Sequence, residues 1–149
     1  MYNTTMKYNF FDVMSRAQRV YSQMTEPICR KWELTRNELD VMLFLANNPE
    51  MDRAADIVAK RGLSKSHVSM SIASLEKRGL LVRREDEKDR RTVHLALTEE
   101  ANTVIADGRA TQLRFLDCLH QGVSQEQIQM MMDFVDQVSE NVLRAEKEI

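Results

Sequence analysis

Between Arg53 and Thr98 the hydrophobic period changes once, from helical to alternating, and this change limits the fold more than any other feature of the chain. Ahead of it, Ala55, Ile57 and Val58 sit on a short helix that Asp52 can cap and Gly62 ends. Ser64 caps a second helix, which Gly79 closes. The connection Arg61-Gly62-Leu63-Ser64 is short and contains glycine, as a helix-turn-helix requires. Beyond Gly79, Leu80-Leu81-Val82-Arg83-Arg84 reads as a strand, followed by the charged run Glu85 to Arg91. The return segment Thr92–Thr98 sets Val93, Leu95 and Leu97 on one face. The result is a hairpin with a long charged tip, where a purely structural hairpin would turn on two or three residues.

Helices are expected on both sides of this core. Phe10, Met14, Ala17, Tyr21, Met24 and Ile28 recur at alternating steps of four and three, which keeps one side of a helix apolar. Thr25-Glu26-Pro27 resembles a capped restart, so a kink or break is expected near Pro27. Thr35 and Glu38 form a capping box that opens a helix with Leu39, Met42, Leu43 and Ala46 facing a core. Asn47-Asn48-Pro49 ends it. Thr98 caps the next helix, with Glu99 and Glu100 at its positive end, and that helix runs toward Gly122 with loosening at Gly108. Ser124 and Gln127 form a second capping box. Behind it Ile128, Met131, Val135, Val138, Val142, Ala145 and Ile149 make a heptad-like seam, long for a helix that merely covers a small core.

The expected fold is therefore mainly α with a small β-hairpin wing. It is one domain over residues 1–149, with a winged helix-turn-helix at about 35–98, its helix-turn-helix at 53–78, and the wing at 80–98. Residues 8–32 and 99–149 supply helices available for dimerisation. No repeat or Gly/Ser linker divides the chain.

Charge is unevenly spread. The whole chain carries −2, yet Arg53 to Arg91 holds eleven Lys/Arg against six Asp/Glu, leaving +5 there and −7 elsewhere. Positive potential is thus concentrated where phosphates could be met. No apolar run approaches the roughly 18 residues that span a bilayer. The first residues also lack a basic segment followed by an apolar one, so a cytoplasmic protein is expected. Cys29 and Cys118 do not make a disulfide framework and read as small, partly buried hydrophobes. His67, His94 and His120 are scattered, without metal-ligand spacing, and no phosphate loop or nucleophile motif is present. An enzyme is not expected, and neither a cofactor nor a metal.

The helix opened by Ser64 carries the functional signal. Val68, Ile72 and Leu75 point inward, leaving Ser66, Met70, Ser74 and Lys77 opposite, with Lys65, His67, Ser69 and Ser71 at the margins. Serine is a mediocre helix former, and an idle surface would more naturally carry Glu, Lys or Ala. Short hydroxyl side chains can approach base edges and phosphates closely in a major groove. The tip Asp86-Glu87-Lys88-Asp89-Arg90-Arg91 would reach the adjacent minor groove, whose negative potential attracts arginine. Asp89 would hold one arginine by a bidentate pair.

The run Leu75-Glu76-Lys77-Arg78-Gly79-Leu80-Leu81, the tip Asp86 to Arg91, and Leu95-Ala96-Leu97-Thr98 together resemble the MarR family of bacterial transcriptional regulators. With the flanking helices the resemblance covers nearly the whole chain. It implies major-groove work for Ser64 through Ser74, an orienting role for Asp89, and minor-groove entry by Arg90 or, as first choice, Arg91. Many members carry arginine where Met70 stands, and Met70 cannot make a bidentate contact to guanine. The resemblance further implies a homodimer on an inverted-repeat operator in double-stranded DNA, a repressor's role, and a small organic effector. Two alternatives stay open: a redox- or metal-responsive regulator of the same fold, and a winged helix used as a protein–protein adaptor.

Overall fold

The computed structural model describes residues 9–148, so residues 1–8 and the last seam position, Ile149, lie outside the described residues. In chain order the elements are α1 (Phe10–Trp32), α2 (Arg36–Asn47), α3 (Ala54–Arg61), α4 (Lys65–Lys77), β1 (Leu81–Glu85), β2 (Val93–Leu97), a 3-10 turn (Glu99–Ala101), α5 (Asn102–His120) and α6 (Gln125–Glu146). They divide into two compact units, one ending at Gln112 and one starting at Leu113.

In the first unit, local signals set most boundaries. Thr35 Oγ1 accepts from the Glu38 amide at 3.2 Å, and the Glu38 carboxylate accepts from the Thr35 amide at 2.7 Å, which completes the capping box. Gly62 ends α3 and Gly79 follows α4, both at positive φ (64° and 71°), a region closed to most side chains. The strands pair antiparallel, with Leu81 opposite Leu97 and Glu85 opposite Val93. α2 is the centre of this unit: Leu39, Met42 and Leu43 are buried as expected, but so are Val41, Phe44 and Leu45. The helix is enclosed because α1, α4 and β2 all pack on it.

Three expectations change. α1 runs unbroken through Pro27. Its turn before the proline is tied down by side chains: Thr25 Oγ1, within the helix, donates to the Tyr21 and Ser22 carbonyls, and Arg36 Nη2, from α2, donates to the Ser22 carbonyl at 2.7 Å. Asp52 does not cap α3. The N-cap is Arg53, whose amide donates to the Asp56 carboxylate, while Asp52 turns to β2, where its carbonyl accepts from the Leu95 amide at 2.7 Å. Thr98 stands at the N-cap of a 3-10 turn but accepts no amide; its hydroxyl donates to the Gly79 carbonyl at 2.6 Å, tying the end of the hairpin to its start.

α5 is continuous through Gly108, which is not a loose point but a close approach. A Cβ there would lie 2.5 Å from Leu43 Cδ2, so the buried Leu43 side chain would have to shift within the core. Gly108→Val is therefore expected to destabilise the protein by about 1–3 kcal/mol through overpacking, measured as a lower urea midpoint at unchanged m.

The second unit holds the end of α5 and α6. Ser124 and Gln127 form the expected capping box at 2.9 and 3.2 Å. None of the side chains of α6 is buried, and Met131, Val135, Val138 and Val142 are all exposed.

Candidate nucleic-acid interface

The reading helix is α4. Ser64 starts it by accepting from the His67 amide at 3.2 Å, and its hydroxyl also meets that of Ser66 at 3.0 Å. This cap leaves the first amides of α4 at the surface, beside exposed Lys65 and His67, where a phosphate would find donors and a positive helix end. Val68, Ile72 and Leu75 are buried, as their spacing predicts.

Ser71 is a correction. It is buried with that apolar set, since one more residue at 100° per step widens the inner stripe toward position 71. Ser74 sits less openly than its spacing suggests. It is half-buried and lies beside the Glu38 carboxylate of α2, so it stands at the margin of the exposed face rather than at its centre. The outermost line of the helix instead runs through Ser66, Met70, Ala73 and Lys77, with Ser69 beside it; all five are exposed. Ala73 was missed because alanine carries no polar signal. The burial of Ser71 is what separates position 73 from 74, and a wheel centred on four inward residues would have found it. Met70 is 70% exposed, an uncovered apolar side chain that suits a thymine methyl and no hydrogen-bonding base edge.

α4 is anchored at its far end as well. Arg78 donates to the Glu33 carbonyl at 2.8 Å and the Trp32 carbonyl at 2.6 Å, which satisfies the last turn of α1. Burial pushes the Glu38 carboxyl up, but the bonds from Ser74 and Thr35 and the charge of Arg78 outweigh it, and it lies below its ordinary value. Glu38 therefore stays charged and holds α4 to α2.

The wing loop is wired through its acids. The Asp86 carboxylate accepts from the Lys88 and Asp89 amides, both at 2.8 Å. These bonds, with one from His94, hold Asp86 below the ordinary carboxylate range. Asp89 accepts from the Arg91 amide at 3.1 Å and from the Thr92 hydroxyl at 3.1 Å. It thus departs from the expected bidentate pair: among the described residues it forms no ion pair with an arginine guanidinium, and it meets Arg91 through the backbone instead. The reason is local, because an aspartate followed two residues later by a free amide closes a turn on itself. The sequence reading did not single out Asp86, although aspartates three apart in a charged tip are a turn signal.

Among the described residues, Lys65, Lys77, Arg84, Lys88, Arg90 and Arg91 take part in no ion pair, whereas Arg53 and Arg83 are neutralised by Asp56 and Glu76. These six unpaired cations lie on α4, on β1 and in the wing loop. Away from this face, Cys29 is buried and burial pushes its thiol up, which suppresses the reactive thiolate; Cys118 is exposed. Among the described residues, no cluster of three or more His, Cys, Asp or Glu could hold a metal, and no helix is long and apolar enough to cross a membrane.

Comparison with known proteins agrees with this geometry. Residues 32–92, the segment from the end of α1 to the wing, match the model of the MarR family. A helix-turn-helix transcriptional regulator of Bacillus cereus is 25% identical over 111 residues, which is 74% of this chain and 73% of that protein. The fold is shared with CouR of Rhodococcus jostii, solved bound to p-coumaroyl-CoA (21% identity, TM-score 0.74, covering 91% of this chain and 95% of that one). It is also shared with a MepR variant of S. aureus bound to an oligodeoxyribonucleotide (15% identity, TM-score 0.58, covering 91% and 99%). Over residues 32–92 the chain is similar to the MarR family, and over most of its length to a helix-turn-helix transcriptional regulator, with a winged helix that agrees with both likenesses.

Proposed function

We propose that the protein acts in the cytoplasm as a homodimeric repressor on an inverted-repeat operator, with α4 in the major groove, a wing arginine in the minor groove, and a small organic effector that releases it. The observation that carries the DNA half is the pairing, on one compact unit, of an exposed hydroxyl-and-methionine helix face with unpaired wing arginines. Ser66, Ser69, Met70 and Ala73 meet base edges, while Lys65, His67, Lys77 and the Ser64-capped helix start meet phosphates. Arg91, aimed by Asp89, enters the minor groove, and Arg90 lies beside it.

The dimer is supported by apolar surface. Phe10, Phe11 and Met14 of α1 are exposed, as is the whole seam of α6 from Met131 to Val142. A helix of 22 residues with no buried side chain gains little from packing in the isolated chain, and a partner copy would supply that packing. The effector is supported by CouR, whose structure holds p-coumaroyl-CoA. Repression follows from an operator-bound dimer that would occlude a promoter.

The test of base reading is a comparison of variants across a randomised duplex library. Met70→Ala and Ser66→Ala are expected to change which sequences are retained, by about 1–3 kcal/mol at the contacted position. Lys77→Ala is expected to weaken all sequences alike. If the Met70 and Ser66 variants retain the wild-type sequence set unchanged, α4 does not read bases.

A further inference from the structure

His94 of β2 lies between two carboxylates. Its Nδ1 is 2.7 Å from Asp52 Oδ1, in the segment before α3, and its Nε2 is 3.2 Å from Asp86 Oδ2, in the wing loop. A carboxylate only accepts, and a neutral imidazole has only one N–H to give. Both contacts are hydrogen bonds at once only when the ring carries both protons. The other oxygen of Asp86 holds the Lys88 and Asp89 amides, so the ring is one bond away from the turn that presents Arg90 and Arg91.

We propose that His94 is a positioning residue which, as the imidazolium, latches the wing loop to the segment before α3, so that the direction of the wing arginines and the affinity for duplex depend on pH. The affinity half of this rests on the duplex reading of the wing; the latch itself does not.

The charged groups around the ring mostly favour the latched form. The bonds to Asp52 and then Asp86 raise His94 above its ordinary value and outweigh the opposing effect of desolvation. Arg84, its cross-strand partner on β1, is the cation that would oppose protonation. Because the folded value is raised, the latch is complete below the ordinary histidine range and is lost as pH rises through the raised value. On the acid side it fails when a carboxylate partner takes up a proton, and Asp86 is held below its ordinary value. The closed window therefore spans mildly acidic to near-neutral pH.

The test uses the full-length protein without DNA. Ring resonances of His94, assigned by their loss in His94→Gln, are followed with pH beside the amides of Lys88 and Asp89. The expected result is a His94 midpoint above the ordinary value of about 6.5, with both amides moving at that same midpoint. Asp86→Asn should lower the midpoint and uncouple the amides. A midpoint at or below the ordinary value, or amides that ignore it, overturns the latch. In a second arm, a fluorescein-labelled duplex recovered from the organism's own DNA is titrated at about pH 6 and about pH 8.5. The wild type should weaken about two- to fivefold more than His94→Gln across that interval, since the pair is exposed and screened. Equal pH profiles overturn the link to affinity. Failure to bind any duplex at either pH would instead overturn the duplex reading, and with it the affinity half, while the resonances still decide the latch.

Discussion

Arg91→Ala is expected to weaken binding to every duplex, cognate or not, by about five- to hundredfold, and to reduce the salt slope by about one per protomer. The expectation rests on three features of the wing. Arg91 is exposed and takes part in no ion pair among the described residues, so its charge is available. Its backbone is fixed by Asp89, so little order has to be gained on binding. It projects from a loop that Asp86 and Asp89 fold on themselves without using any guanidinium, which leaves the arginines for a polyanion. Asp89→Ala keeps the cation and loses only its support, and should weaken binding by a smaller factor with an unchanged salt slope. Fluorescence anisotropy over a series of salt concentrations separates the two variants. An Arg91→Ala protein with wild-type affinity and slope would remove the wing from the interface.

The second large effect is expected at α6. Val138→Glu sets a carboxylate in the middle of the exposed seam and should convert the proposed dimer to monomers by sedimentation velocity. Each α4 and wing stay folded in the first unit, so a single half-site should still be bound at the low affinity of one reading unit. Binding to the full inverted repeat should fall by about 10²–10⁴-fold, because the second contact is no longer intramolecular. A Val138→Glu protein that remains dimeric would show that the α6 seam is not the dimer contact. The same variant leaves the first unit's stability unchanged, since Val138 lies outside its core.

The parts of this fold legible in the sequence are those decided within a few residues. The Thr35 and Ser124 boxes, the stops at Gly62 and Gly79, and the change of period after Gly79 all depend on near neighbours, and the structure bears them out. The rest depended on partners far along the chain. Pro27 reads locally as a break, but Arg36, nine residues on, supplies a donor to the turn before it. Asp52 reads as a cap, but His94, 42 residues away, is the better partner for a carboxylate. On α4, the inward positions were legible from apolar spacing alone. The sides were not, because two serines at 71 and 74 look like a polar face until the burial of the first and the half-burial of the second are known. Asp89 was rightly marked as part of the wing's construction, while its bond goes to the Arg91 backbone rather than to a guanidinium.

The central claim is that two copies of this α4-and-wing face read an inverted repeat. The most direct measurement is to retain fragments of the organism's genomic DNA on the protein at near-physiological salt, sequence them, and titrate the best fragment against salt. The account predicts a retained motif with two inverted half-sites centred about 10 base pairs apart, or a multiple of that, and affinity that falls steeply as salt rises. Retention of fragments without a shared inverted motif, or binding indifferent to salt, would contradict it.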